Sequence, residues 1–114
     1  MKIHYLEIVT PDVDAMCATY AAANHLEFGD PDPSLGQARV AKRADGGMVG
    51  VRAPMHESED PVVRPYWLVD DIEASVAAAA ESGAEIAHPP LQIPGHGTFA
   101  IYIQGGVHHG LWQN

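Results

Sequence analysis

The chain has 114 residues, 46% of them hydrophobic, and a formal net charge of −9. That is one domain's length, enough to bury a core without disulfide or metal staples, and its composition excludes a disordered acidic tail. Six Lys and Arg against fifteen Asp and Glu leave no basic stripe for nucleic acid or for an anionic membrane surface.

No apolar run approaches the ~18 residues of a membrane-spanning helix. The opening stretch MKIHYLEIV lacks the long apolar region and small-residue cleavage site of a secretory signal, so the expected location is the cytoplasm. The single Cys17 rules out an intrachain disulfide and reads as a buried thiol within an apolar helical pattern.

In chain order, an apolar-rich strand is predicted at residues 3–9. A helix follows from Thr10-Pro11-Asp12, where Pro suits a first helical position and Asp favours the positive end of the helix dipole. It stops near Asn24. Three short strands are expected at residues 26–28, 37–44 and 47–53, with ADGG (residues 44–47) as a hairpin turn. Residues 54–61, APMHESEDP without its first Ala, form a polar, Pro-bearing linker. A second strand–helix unit then begins at residues 62–69. Its helix starts on an Asp-x-x-Glu signal, Asp70 and Glu73, and ends at Ser82-Gly83. Strands at 85–88, 98–103 and 107–112 complete it, with QGG (residues 104–106) as the turn. The Pro-rich pieces GDPDPSLG and HPPLQIPG read as matched loops.

The two halves are copies. YLEIVTPDVDA from Tyr5 and RPYWLVDDIEA from Arg64 align without a gap at a spacing of 59 residues. At that spacing Asp12 meets Asp71, Asn24 meets Gly83, Gly36 meets Gly95, Ala41 meets Ala100, and Gly46-Gly47 meets Gly105-Gly106. The expected fold class is therefore α+β: one domain over residues 1–114, built as two tandem βαβββ modules (1–53 and 62–114) around the linker 54–61. Each curved antiparallel sheet carries a helix on one face and needs a partner on the other. Two such units would form a cup with the helices outside, and small-molecule sites favour such hollows.

This tandem pattern resembles the vicinal oxygen chelate superfamily, which includes glyoxalases, bleomycin- and fosfomycin-resistance proteins and extradiol dioxygenases. The stretch VDDIEASVAAAAESGAEIAHPPLQIPGHGTFAIYI followed by GGVHHGLW is similar to a glyoxalase-like subfamily ending in a G-x-V-F-G-L-W type of strand. The resemblance implies metal ligands on the first and last strand of each module, at Tyr5, Val51, Arg64 and Gly110. None is a usual donor for a divalent cation. No metal site and no cofactor are therefore expected. The resemblance also implies a homodimer.

Side chains alternate across a strand, so residues two apart share a face. With Tyr5 and Arg64 facing the cup, Glu7, Tyr66, His108 and Trp112 face it too, while His109 and Leu111 pack toward the helices. Phe99, Ile101 and Ile103 are expected against the helix, leaving Thr98, Ala100 and Tyr102 in the cup. Val49, Val51, Arg39 and Arg43 are assigned to the same lining. Tyr5, Arg64, Tyr66, Tyr102 and Trp112 are the candidate ligand-binding residues. Glu7 and His108 are the candidate catalytic pair, although a Glu7–Arg64 ion link and a structural His108 are equally ordinary explanations.

Three functions fit. The favoured one is a metal-free binder of a small aromatic or anionic compound. The second is a metal-dependent lyase, isomerase or dioxygenase-like enzyme with a shifted site, in which Glu7 takes a proton beside a carbonyl and His108 serves as acid or metal ligand. The third is a filled, degenerate module used for interaction. Whether the chain is an enzyme stays open.

Overall fold

The computed structural model describes residues 1–114 as two compact units, Tyr5–Val63 and Arg64–Asn114, the latter including Met1–His4. Strand β1 (Ile3–Val9) leads into helix α1 (Val13–Asn24), a 3-10 turn (Pro33–Leu35) and strands β2 (Arg39–Lys42) and β3 (Met48–Arg52). Strand β4 (Val62–Leu68) leads into helix α2 (Ile72–Glu81) and strands β5 (Glu85–Ile93), β6 (Gly97–Gln104) and β7 (Val107–Gln113). The fold is α+β and repeats a strand–helix–sheet plan. The sheets are mixed rather than wholly antiparallel. β2–β3 and β5–β6–β7 pair antiparallel, but each module's first strand lies parallel to its last, β1 to β3 and β4 to β7.

Local chemistry sets the helix ends. The Thr10 hydroxyl accepts the Asp12 N–H at 3.1 Å ahead of α1. α1 ends where His25, one residue past Asn24, takes the left-handed conformation at φ 55°. In α2 the cap is Asp71 rather than Asp70, its carboxylate accepting the Ala74 N–H at 3.1 Å. Neither helix is long and apolar enough to cross a membrane.

The core of residues 5–63 is Ile8, Cys17, Val49 and Val51, flanked by Leu6, Met16 and Tyr20. Burial on this scale stabilises by about 1.5–3 kcal/mol for each large aliphatic side chain. It also pushes the Cys17 thiol up, which leaves it a packing group. In the second unit Ile72, Ala100 and Leu111 are buried, with Val69, Val76 and Tyr102 against them.

Two expected strands come out differently. Residues 26–28 do not join the sheet. Only the Gly29 N–H to Val40 carbonyl bond (3.0 Å) and an Asp32–Ala38 bridge mark where a third strand of module one would run. Pro31 and Pro33 have no N–H to give a ladder, and Asp32 accepts the Ser34 N–H to start the 3-10 turn instead. By contrast β5 continues through Pro89-Pro90, which read as loop. It is the edge strand of its sheet, and its register breaks between Ile86 and His88 and again between His88 and Leu91 absorb the prolines.

The assignment of faces needs three corrections. Val49 and Val51 pack against α1, so Gly50 and Arg52 share the face of Tyr5 and Glu7. Two changes in spacing combine to set it: the step from first strand to the next ladder strand is two residues longer in module two (Tyr66 to Ile101 against Glu7 to Val40), and its hairpin is one residue shorter. Module one's hairpin has three loop residues, Ala44 to Gly46, inside the Arg43 N–H to Gly47 carbonyl bond. Module two's has two, Gly105 and Gly106, both at positive φ as a type I′ turn requires. The equivalent of Glu7 thus lies 59 residues on, at Tyr66, but that of Gly50 lies 60 residues on, at Gly110. A one-residue slip moves a whole strand to the other face.

Tyr102 does not face the side of Tyr66 and His108. It packs on α2 and stacks on His109 with ring centroids 4.9 Å apart. Ala100 pairs with Leu111 and Tyr102 with His109, and directly opposed residues of an antiparallel pair share a face. Phe99, Ile101 and Ile103 therefore lie on the face away from α2. Arg39 and Arg43 are likewise on the α1 side. Arg39 pairs across the sheet with Val51 and bonds Asp14 of the helix at 3.0 Å.

Candidate functional site

In the unit of residues 64–114, β4, β6 and β7 present one continuous face away from α2. It carries Arg64 and Tyr66 from β4, Phe99 and Ile101 from β6, and His108 and Trp112 from β7. The Tyr66 ring stands edge-on to both Phe99 (centroids 6.2 Å) and Trp112 (6.1 Å). His88 of β5 stacks on Phe99 at 4.7 Å, and His4 lies 5.3 Å from Trp112. Trp112 and Tyr66 are buried, Phe99 and Ile101 are half-buried, and His108 is exposed.

The polar end of this face is a pair. Arg64 Nη2 lies 3.3 Å from His108 Nδ1. Arginine only donates, so Nδ1 accepts and the neutral imidazole carries its proton on Nε2. An aromatic and aliphatic wall thus ends in a guanidinium and an imidazole N–H donor, both suited to a carbonyl or carboxylate oxygen.

In the unit of residues 5–63, Tyr5 and Glu7 share a face with Gly50 and Arg52. Arg52 is the buried hub: its Nε donates to Glu7 Oε2 at 2.9 Å, and its Nη1 and Nη2 donate to the Glu59 carboxylate at 2.8 and 2.7 Å. Glu59 also accepts the Met55 N–H at 2.8 Å. The bonds to Glu59, ahead of that to Glu7, hold the Arg52 guanidinium above its ordinary range against the opposing cost of burial. The same pairing with Arg52 lowers the Glu59 carboxyl from 4.5 to about 2. Burial first, and then the Glu7 charge, pushes the Tyr5 phenol up, so it stays protonated. Glu7 was expected to link to Arg64 or act as a base; its partner in this unit is Arg52.

Arg52 and Glu59 were missed in the sequence. Arg52 was legible as the polar member alternating with Val49 and Val51 at the end of a strand. Glu59 sits in the presumed linker, and nothing in its neighbourhood marks it. Phe99 was named but turned toward the wrong side.

The glycines decide whether the superfamily's metal could sit in its usual seats. Gly50 and Gly110 stand on the two last strands where a side chain would share the face of the first strand. A Cβ on Gly50 would collide with the Tyr5 phenol, and one on Gly110 with the Tyr66 ring. With Tyr5 and Arg64 as the first-strand residues and glycine opposite, the donors do not fit a divalent cation. No cluster of three or more His, Cys, Asp or Glu occurs elsewhere in the chain.

These two βα-sheet modules, with first strand parallel to last, have the glyoxalase-like fold of the vicinal oxygen chelate superfamily. No family model matches the sequence. Among curated proteins it is 31% identical over 96 residues to "Putative glyoxylase CFP32" of Mycobacterium bovis and of Mycobacterium tuberculosis. The match covers 83% of this chain and 37% of those relatives' length. Among solved structures, hypothetical protein BH1468 of Bacillus halodurans matches with a TM-score of 0.74 at 15% identity, over 99% of this chain and 94% of that one. The methylmalonyl-CoA epimerase of Mycobacterium tuberculosis matches with 0.73 at 13% identity, over 96% and 85%. The Streptomyces coelicolor epimerase in complex with 2-nitronate-propionyl-CoA matches with 0.69 at 17%, over 100% and 97%. At these identities the structural matches establish the fold alone.

Proposed function

We propose that the chain is a glyoxalase-like small-molecule binder that works without a divalent metal in the superfamily's usual seats. Its ligand is a compact aromatic or apolar compound bearing a carbonyl or carboxylate. The apolar body would lie on Phe99 and Ile101 beside Tyr66, and the oxygen would meet Arg64 and the His108 Nε2–H. The single observation behind this reading is that tyrosine rings occupy the space over Gly50 and Gly110. The Streptomyces coelicolor epimerase of this fold, in complex with 2-nitronate-propionyl-CoA, supports small-molecule binding as a habit of the fold. Action in the cytoplasm as a homodimer belongs to the same reading.

Calorimetric titration with benzoate, phenylpyruvate and phenylacetate, each with and without added Mg2+, Mn2+, Ni2+ or Zn2+, tests it. Binding of at least one acid, unaffected by metal and weakened by Arg64→Gln, is expected. Stoichiometric metal uptake would overturn the metal-free reading. It would favour instead a lyase, isomerase or dioxygenase-like enzyme with a shifted site using Glu7 and His108, in which Glu7 would have to exchange its bond to Arg52.

A further inference from the structure

Module one is a strand short, and the missing strand leaves a cleft. In module two, α2 lies over a sheet that runs on through β6 to β5. In module one residues 26–28 leave the sheet, and only the Gly29–Val40 and Asp32–Ala38 bonds remain of the corresponding edge. An opening of about 430 Å³ results on the α1 side of β1 and β3. Leu6, Tyr20, Leu26 and Val49 form its walls, and Val49 is the most buried of them. Asn24, the last residue of α1, and Arg43 with Ala44, at the start of the β2–β3 turn, form its rim.

The cleft is independent of the Arg64–His108 face: every residue lining it belongs to the unit of residues 5–63 and lies on the helix side of β1 and β3. Its volume falls within the roughly 300–1,000 Å³ of small-molecule pockets, and its walls are mostly apolar. Arg43 is its one charged lining residue. The Arg43 guanidinium donates through Nη1 to the Met48 carbonyl at 3.2 Å and through Nε and Nη2 to the two Asp45 carboxylate oxygens at 3.2 and 3.3 Å, and the Asp45 side chain is 58% exposed. The Asp45 carboxylate is solvent-exposed and stands where an incoming carboxylate would take the same fork, so ligand binding on Arg43 exchanges one bidentate partner for another. A guanidinium anchored through its neighbours and set at the mouth of an apolar slot selects an anion with an apolar tail.

We infer that this cleft is a second ligand site, for a monocarboxylate with an unbranched or aryl-alkyl body, its carboxylate on Arg43 and its chain between Tyr20, Leu26 and Val49. Asn24 provides an amide at the rim for the second carboxylate oxygen.

The test is a 1H–15N NMR titration of the whole chain with decanoate and 4-phenylbutyrate, kept below micelle formation, with decanol as the uncharged control. Saturable one-to-one shifts at Leu6, Asn24, Leu26, Ala44 and Val49 are expected, with decanol at least tenfold weaker. Arg43→Gln should weaken decanoate about tenfold and leave decanol unchanged, the scale of one charge-assisted contact. Ala44→Trp adds bulk at an exposed rim position without touching the core, and should remove both. Absence of saturable shifts, shifts confined to β4–β7, or equal affinity for decanoate and decanol would each overturn the site. A failed titration with aromatic acids at Arg64 would leave it standing.

Discussion

The Tyr66 ring lies over the bare Cα of Gly110, its partner across the parallel β4–β7 pairing, and fills the space where a side chain at 110 would project. Tyr5 does the same over Gly50 in the other module. Gly110→Ala should therefore destabilise by about 1–3 kcal/mol, the usual cost of forcing a methyl into a packed site. Urea unfolding measures it. Trimming the ring, Tyr66→Leu, in the Gly110→Ala background should recover part of the loss, since contacting residues do not act additively. Wild-type stability for Gly110→Ala would show that the ring does not press there.

Arg52 binds two carboxylates in a nearly closed setting, its own side chain 6% exposed and those of Glu7 and Glu59 10% and 17%. Arg52→Met leaves both acids without their shared cation and should cost about 3–5 kcal/mol, the range for breaking a buried pair from one side. Arg52→Lys keeps the charge but loses the fork that serves both acids, and should fall between wild type and Met. Equilibrium denaturation of the three proteins gives the order.

Glu59 titrates at about 2 in the folded chain against an ordinary 4.5. A lowered carboxyl contributes its full stability above the ordinary value and loses it as pH falls through the folded one. The stability of the wild type should therefore decline more steeply between about pH 4.5 and 2 than that of Glu59→Gln. A 13C titration of the Glu59 carboxyl should give a midpoint near 2, and a midpoint near 4.5 would contradict the bidentate pair with Arg52.

His108 should be the Nε2–H tautomer whenever it is neutral, because Arg64 donates toward Nδ1. Long-range 1H–15N spectra at alkaline pH distinguish the two ring nitrogens directly. Arg64→Gln should turn the single tautomer into a mixture, and should weaken any aromatic acid bound on that face by roughly tenfold, the loss of one charged hydrogen bond.

Much of this molecule is written locally. The strand at Ile3–Val9, the helix stopping beside Asn24, the Asp-led start of α2 and the glycine turn at Gly105-Gly106 follow from alternation, capping and backbone preference, which act over a few residues. The doubling of the plan was visible for the same reason, since each copy repeats those local signals. Arg64, Tyr66, His108 and Trp112 were placed on one face because they lie on strands whose register no turn disturbs.

Other assignments depended on how strands meet. Val51 and Tyr102 face the other way because a net one-residue difference in spacing between the modules' first and last strands, and the direct opposition of β6 and β7, set the faces. The loss of a strand at residues 26–28 depended on ladder partners, which the chain finds only further on, at Gly29–Val40 and Asp32–Ala38. The Arg52–Glu59 pair depended on a segment that read as linker. The sequence alone determined which elements form and that they form twice, because helix and strand periodicity are properties of neighbouring residues. The tertiary structure alone decided which side chains look at one another, because a strand has two faces and only its pairing partner chooses between them.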